Sequence, residues 1–232
     1  MGRIHEAVRL TADLIILTIR DGALNVLLVE RENEPHRGRL ALPGGFLRGD
    51  EPLERTAERE LAEETGLDAS AFRLRQVRVY SEPDRDPRRP RVITCGFLAI
   101  APNLPSPVAG SDARSARWVP VVEAAGAALA FDHGRILADA VDLARDLLQF
   151  STVATAFCGP EFTIGDLREV YETVWGVALD RPNFHRKVTD ALGFVEPTGG
   201  KRPSPGGRPA ALYRAGGATE LSPPMMRPRV DA

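Results

Sequence analysis

The run GFLRGDEPLERTAERELAEETGL, residues 45–67, gathers acidic side chains at helical spacing. Residues 52–65 read as a helix, because proline is tolerated in a first turn and Gly66 suits the position just past the C-terminus. Glu60, Glu63 and Glu64 stand at i, i+3 and i+4, so their carboxylates project from neighbouring strips of one helix face. Like charges so placed repel by roughly 0.2–0.5 kcal/mol per pair. A hard divalent cation removes that repulsion: Mg²⁺ takes carboxylate oxygens and keeps waters for a phosphate substrate, and such a cation bridges phosphate oxygens and activates a water. Arg59 reaches Glu63 at i,i+4 and can hold its carboxylate in orientation. Gly44 and Gly45, just upstream, let a ligand approach the backbone closely. The competing reading of the same residues is a solvated acidic helix face.

Outward from this helix the chain alternates. Residues 13–20 (DLIILTIR) and 25–30 (NVLLVE) read as strands joined by a turn at Asp21-Gly22. Residues 40–45 (LALPGG) end in a glycine break. Residues 72–81 and 91–101 are rich in Val, Ile, Phe and Tyr and read as a hairpin with a long Pro/Arg/Asp tip. Trp118-Val119 is a short strand. Mixed strands around one charged helix predict an α+β domain. A helix then runs over 133–150 with Asp132 as N-cap. Its apolar stripe is Ile136, Ala140, Leu143, Leu147 and Phe150, a face that connects two domains or pairs with a second copy.

From Ser151 the texture changes. Thr163 and Asp166 form a capping-box pair at the head of a helix that stops at Gly176. Asp180-Arg181-Pro182 opens a second helix to Leu192, ended by Gly193. Short strands at 194–196 and 212–214 flank a Gly/Pro/basic link. Helix, turn, proline-initiated helix and basic hairpin follow the order of a winged helix-turn-helix, whose second helix enters the major groove. Arg181, Asn183, His185, Arg186 and Lys187 would face base edges, where arginine reads guanine and asparagine adenine, with Phe184 and Val188 turned to the core. Lys201, Arg202 and Arg208 would touch phosphates. Otherwise this half is a helical assembly or lid module. The tail over 216–232 has no periodicity and is expected to be disordered.

Composition narrows the class. The 232 residues are 43% hydrophobic and 27% charged, which excludes disorder as the main state and fibrous repeats. Apolar runs such as 14–19 fall far short of the ~20 residues of a membrane span, and the N-terminus lacks the apolar core of a secretory signal. No membrane partner and a cytoplasmic location are expected. Cys95 and Cys158 sit among apolar residues and read as buried thiols rather than a redox pair. The net charge of −2 names no partner, but residues 181–214 hold seven basic side chains against Asp190 and Glu196, a basic patch in an acidic chain.

Residues 45–67 fit the pattern Gly-x5-Glu-x7-Arg-Glu-apolar-x-Glu-Glu-x-Gly-apolar without a departure. At roughly 7% usage per residue type, chance gives seven fixed positions far less than one time in a million. The run resembles the Nudix box, the signature of hydrolases acting on nucleoside diphosphates linked to another group. The resemblance covers about residues 10–150. It implies an α/β/α sandwich, with Glu60, Glu63 and Glu64 as Mg²⁺ (or Mn²⁺) ligands, Arg59 as their support and Glu51 as a helper. Pro83, sixteen residues after Leu67, resembles the spacing in ADP-ribose-type Nudix proteins. The loop at 84–88 looks like the corresponding loop there, so that Arg85 and Arg88 would hold a diphosphate or ribose edge bidentately; a polar hairpin tip is the alternative.

A Nudix domain followed by a winged helix resembles the Nudix-related transcriptional regulators of NAD metabolism, and Phe131-Asp132-His133-Gly134 also looks like that family. The resemblance spans about residues 10–215. The organisation expected is a Nudix domain with its linking helix over 8–150 and a winged helix-turn-helix over 151–215. The function implied is a homodimeric repressor of NAD-biosynthesis or salvage genes, released from double-stranded operator DNA by ADP-ribose or a related nucleotide. Many such regulators carry a degraded box and this chain does not, so the alternative is a Mg²⁺-dependent ADP-ribose diphosphatase with a C-terminal assembly domain, or a protein that does both. A hydrolase needs a general base, and Glu82, Asp84, Asp86 and Glu123 are candidates by loop exposure only.

Overall fold

In the computed structural model, which describes residues 7–65, 73–102, 113–203 and 209–228, residues 14–17 are wholly buried in β1 (Val8–Arg20). A strand covered on both faces reads as a continuous apolar run rather than an alternating one. Asp21 and Gly22 take φ of 50° and 73°, the pair of positive values that a tight I′ hairpin turn demands, and lead into β2 (Ala23–Arg31). β3 (Leu40–Ala41) pairs antiparallel with β2, and β4 (Gly44–Phe46) pairs antiparallel with β1. Helix α1 (Leu53–Thr65) sets Ala57 and Leu61 against Ala12, Leu14, Ile16 and Phe97, with Leu53 packed beside them. That i, i+4, i+8 stripe leaves Glu60, Glu63 and Glu64 on the helix flank beside β4.

β5 (Arg75–Tyr80) pairs antiparallel with β6 (Arg91–Ile100), as the hairpin reading expects. β6 runs parallel to β1 from Val8 opposite Arg91 to Leu17 opposite Ile100. β7 (Ala113–Pro120) pairs antiparallel with β2, a longer strand than Trp118-Val119 alone. The sheet order is β3-β2-β1-β6-β5, with β4 and β7 joined to β1 and β2. Short α2 (Val121–Gly126) follows.

Helix α3 (His133–Phe150) has the predicted bounds, with two corrections. Its buried face is Ile136, Leu137, Ala140, Val141, Ala144 and Leu148, whereas Phe150 is 53% exposed and Leu143 and Leu147 are only half-buried. Ala144 carries little hydrophobic weight in a sequence pattern, which hid the true stripe. Asp132 does stand at the helix start, and its carbonyl accepts from Arg135 N and Ile136 N. Its carboxylate, however, is taken by Arg85 instead of capping the helix.

The chain divides into two compact units, Met1–Leu17 with Asn25–Ile100 and Leu104–Val141, and Thr18–Leu24 with Ala101–Asn103 and Asp142–Ala232. In the second, a 3-10 helix (Thr152–Phe157) precedes α4 (Ile164–Trp175), which carries the reciprocal Thr163/Asp166 capping box and ends on Gly176 at φ 70°. α5 (Arg181–Asp190) starts on Asp180, whose side chain accepts from Asn183 N at 3.0 Å. It stops two residues before the expected Leu192, which is 90% exposed and offers no burial to hold another turn. β8 (Val195–Arg202) and β9 (Ala210–Ala215) form the wing. β8 is longer than expected, because a register shift between Pro197 and Lys201 absorbs Gly199 at φ 80° and pairing resumes at Lys201–Ala211.

The disordered tail is also corrected. Residues 216–228 take a defined path, with Leu221 and Met225 buried. Gly66, Phe72 and Arg208 lie outside the described residues. Among the described residues no helix is long and apolar enough to cross a membrane.

Candidate functional site

The carboxylate flank of α1 meets β4 with no space to spare. A methyl group on Gly45 would collide with the Glu60 carboxylate, so only glycine leaves that side chain its seat. Gly44 N donates to Glu64 Oε2 at 2.8 Å. Arg59 threads the cluster: Nη1 donates to Glu60 Oε1 (2.5 Å) and Glu63 Oε2 (3.3 Å), and Nη2 to Glu51 Oε1 (2.7 Å) and Phe46 O (3.1 Å). Glu51 also accepts from Thr56 Oγ1 and Arg48 N, each at 3.0 Å. The Arg59 hydrogen bond, above all, holds its carboxyl down to about 2. Arg48 forks onto both oxygens of Glu63 at 3.1 and 3.0 Å. Burial raises the Glu60 carboxyl above its ordinary range, against the pull of Arg59.

As they stand, no three acidic, His or Cys side chains among the described residues are placed to hold a metal. Arg59 bridges Glu60 and Glu63, and Arg48 holds the outer side of Glu63. The donor chemistry still fits a hard divalent cation. Carboxylate oxygens of Glu60, Glu63 and Glu64 share one helix flank, and burial disfavours the Glu60 charge unless a cation offsets it.

Beside this flank opens a cavity of about 400 Å³, a size usual for small-ligand sites. Arg31, Phe46, Arg88 and Phe131 line it together with the three glutamates. The Arg88 guanidinium lies 5.0 Å from the ring centres of both Phe46 and Phe131, and Arg31 lies 4.7 Å from Phe131, within cation–π range. Phe131 takes φ 53°, a strained setting for a bulky residue that clusters at ligand sites. Arg88 also chelates Asp86 at 2.5–3.0 Å. Burial works against charge on Asp86, but the Arg88 hydrogen bonds outweigh it and hold the carboxyl below its usual range.

Under the cavity lies a buried ionic cluster. Arg85, with a side chain 3% exposed, donates to Asp132 at 2.7 and 3.0 Å and to Asp13 at 3.5 Å. His133 Nδ1 accepts from Leu42 N at 2.8 Å, so the ring is neutral with its proton on Nε2, 3.7 Å from Asp13 Oδ2. Burial pushes the His133 pKa down to about 3 and the Asp13 carboxyl up. Arg85 therefore clamps β1 to the start of α3 while lining the cavity.

In the second unit α5 buries Phe184 and Val188, and Phe184 meets Tyr171 edge-on at 5.3 Å. Arg181, Asn183, His185, Arg186 and Lys187 are all exposed on its other side. Arg186 Nη2 donates to Asn183 Oδ1 at 2.9 Å, which pre-orients both. Lys201 is exposed, while Arg202 binds Asp166 at 2.5 and 2.6 Å and so fastens the wing to the first turn of α4.

The NUDIX domain model matches residues 8–140, and the NrtR DNA-binding winged helix domain model matches residues 155–215. Over 207 residues the chain is 33% identical to the ADPR responsive transcriptional repressor NtrR of Acinetobacter baylyi, covering 88% of this chain and 81% of that protein. The chain belongs to the NrtR family. This NrtR-family chain is similar to the crystal structure of Shewanella oneidensis NrtR complexed with a 27mer DNA, with a TM-score of 0.76, 31% identity and coverage of 89% and 93% of the two chains. It is similar also to the NUDIX domain of that NrtR complexed with ADP ribose, with a TM-score of 0.56, 31% identity and coverage of 60% and 90%.

The sequence reading named one helix and one loop, and in this NrtR-family chain both border the same cavity. Gly44, Gly45, Glu60, Glu63, Glu64, Arg85 and Arg88 all line the cavity, and Glu51 and Arg59 brace it from behind. Of the candidate bases only Asp86 lines it; Glu82 pairs with Arg135 at 2.6 Å, and Asp84 and Glu123 are exposed elsewhere. Sequence reasoning missed Asp13, Arg31, Phe46 and Arg48. A charged residue opening an apolar strand was the one available signal for Asp13.

Proposed function

We propose that this chain is a transcriptional repressor of NAD-biosynthesis or salvage genes, which holds operator DNA through α5 and the wing and releases it when ADP-ribose or a related nucleotide fills the Nudix cavity. One observation carries the reading: an arginine- and phenylalanine-lined cavity and an exposed reading face on α5 occur in one NrtR-family chain. Arg31 and Arg88 suit a diphosphate, and the flat faces of Phe46 and Phe131 suit a base or sugar. Glu60, Glu63 and Glu64 would hold Mg²⁺ or Mn²⁺, which supplies charge neutralisation for the diphosphate. Arg85 is the natural relay, because it closes the cavity floor and grips Asp132 at the head of α3. Operators read by such proteins are near-palindromes, so a homodimer is proposed, with the half-buried Leu143 and Leu147 and the exposed Phe150 of α3 as its seam.

The intact box favours a second reading, ADP-ribose hydrolysis with the C-terminal unit serving assembly. Against it, of the four loop carboxylates considered as a base only Asp86 lines the cavity, and its carboxylate is committed to Arg88 and held below its usual range; a weak base is a poor proton acceptor. The deciding experiment is a gel shift on the DNA upstream of the gene, with and without ADP-ribose, alongside a phosphate-release assay. Release of DNA by ADP-ribose without turnover supports the sensor. Turnover with unchanged DNA affinity sinks it in favour of the enzyme.

A further inference from the structure

The segment after β9 closes back onto two helix ends. Ala218 N donates to Gly193 O at 2.9 Å, behind α5. Leu221 N then donates to Phe150 O at 2.9 Å and Met225 N to Gln149 O at 2.8 Å. These are carbonyls of the last turn of α3, which have no partner within the helix. Arg227 N donates to Gln149 Oε1 at 3.3 Å, and Arg227 Nη2 to Trp175 O at 2.9 Å, the last residue of α4. One segment thus satisfies the last two carbonyls of α3 and the last carbonyl of α4. Leu221 and Met225 are 6% and 4% exposed. Met225 also lines a cavity of about 200 Å³ with Trp175, Phe184 and Lys187, and so reaches the inner face of α5.

We infer that residues 216–228 are a tie that seats the helix-turn-helix on the last turn of α3, with Leu221, Met225 and Arg227 as positioning residues for α5. Without the tie, α4 meets α3 through fewer bonds, chiefly Trp175 Nε1 to Arg145 O (3.1 Å), Arg145 Nε to Val174 O (3.2 Å) and Tyr171 OH to Leu148 O (3.0 Å). A recognition helix reads bases only when held at a fixed angle to the groove, so a loosened seat costs operator affinity. The tie also makes the end of α3 and the reading module one body, so that a change in α3 is passed to α5. This second consequence rests on the sensor reading proposed above; the first does not.

The test uses the full chain and four proteins: wild type, Arg227→Ala, Arg227→Lys, and Leu221→Ser with Met225→Ser. Operator affinity is read by fluorescence anisotropy at several salt concentrations, ADP-ribose affinity by calorimetry, and release of the tie by hydrogen exchange at the Leu221 and Met225 amides. Expected is a loss of operator affinity of about tenfold in Arg227→Ala and in the double variant, the scale of one mismatched base pair. Arg227→Lys recovers most of it, ADP-ribose affinity stays within about twofold, and the salt slope is unchanged because the tie touches no phosphate. A slope reduced by about one in Arg227→Ala would make Arg227 a direct phosphate contact and overturn the inference. So would full operator affinity in a variant whose tie amides exchange freely. A wild type that ignores ADP-ribose sinks the sensor reading, while the operator affinities of the variants still decide the tie.

Discussion

Replacing Arg85 by methionine separates a buried clamp from a ligand arm. The guanidinium is 3% exposed and faces Asp132 and Asp13, whose side chains are 16% and 9% exposed. Removing one partner of a buried ion pair costs about 3–5 kcal/mol, since the other charge is left uncompensated. Asp13 relieves part of this: burial already raises its carboxyl, and with Arg85 gone it takes up a proton more readily. The lower end, about 3 kcal/mol, is therefore expected, and at ~2–4 °C per kcal/mol for a domain of this size the Nudix transition should fall by roughly 6–12 °C. Adding Asp132→Asn removes the stranded charge and should restore part of the loss. Scanning calorimetry of the full chain reads the transition, and titration calorimetry well below it reads ADP-ribose affinity. If Arg85→Met melts within about 2 °C of wild type while ADP-ribose affinity collapses, the clamp is wrong and Arg85 is the free arm that the sequence pattern predicts.

Glu60→Gln and Glu64→Gln should each weaken Mn²⁺ binding, measured by calorimetry, and abolish any turnover of ADP-ribose; unchanged affinity in both would move the metal off α1. Arg186→Ala should cost about 1–3 kcal/mol of operator binding in a gel shift and leave ADP-ribose affinity intact. His133 gives a pH signature. Burial holds it near 3 in the fold against an ordinary 6.5, so below pH 6.5 the unfolded chain takes up a proton that the fold refuses. Stability falls as pH drops, by about 1.4 kcal/mol per unit from this residue. The raised carboxyl of Asp13 contributes a slope of opposite sign, present in both proteins. Between pH 6.5 and 5.5, urea unfolding of His133→Gln should therefore show a flatter loss than wild type, and equal slopes would refute the neutral buried histidine.

What the sequence made legible was local chemistry. The Thr163/Asp166 box, the Asp180-Arg181-Pro182 start, the Asp21-Gly22 turn and the Glu60/Glu63/Glu64 flank are each written within a few residues, and each stands where the pattern puts it. What stayed hidden depends on side chains far apart in the chain. Arg85, Asp13 and Asp132 meet across strand, loop and helix start, and an arginine on a polar loop gives no sign that it turns inward. The tail failed for a related reason. Leu221 and Met225 are isolated apolar residues in a Pro-rich stretch, and their burial depends on helix ends that no periodicity reveals. The wing strand was cut short because glycines in a strand look like loop until a bulge accommodates them.

The two arginines on the carboxylate flank differ in a way that bears on how the site works. Arg59 is 18% exposed and bonded to Glu51, Glu60 and Glu63 at once. Arg48 is 61% exposed and, among the described residues, its guanidinium is held by Glu63 alone, itself 43% exposed. An exposed pair of that kind is worth about 0–1 kcal/mol, whereas Arg59 cannot leave without stranding the buried Glu60 carboxylate. Arg59 is thus the fixed counter-ion of the glutamates on this helix face, and Arg48 is the removable one. On the sensor reading this is the arrangement required. The empty cavity must be stable in the DNA-bound state, and ligand binding must find a cheap exchange at its rim, so that most of the differential binding energy remains to shift the two states of the protein.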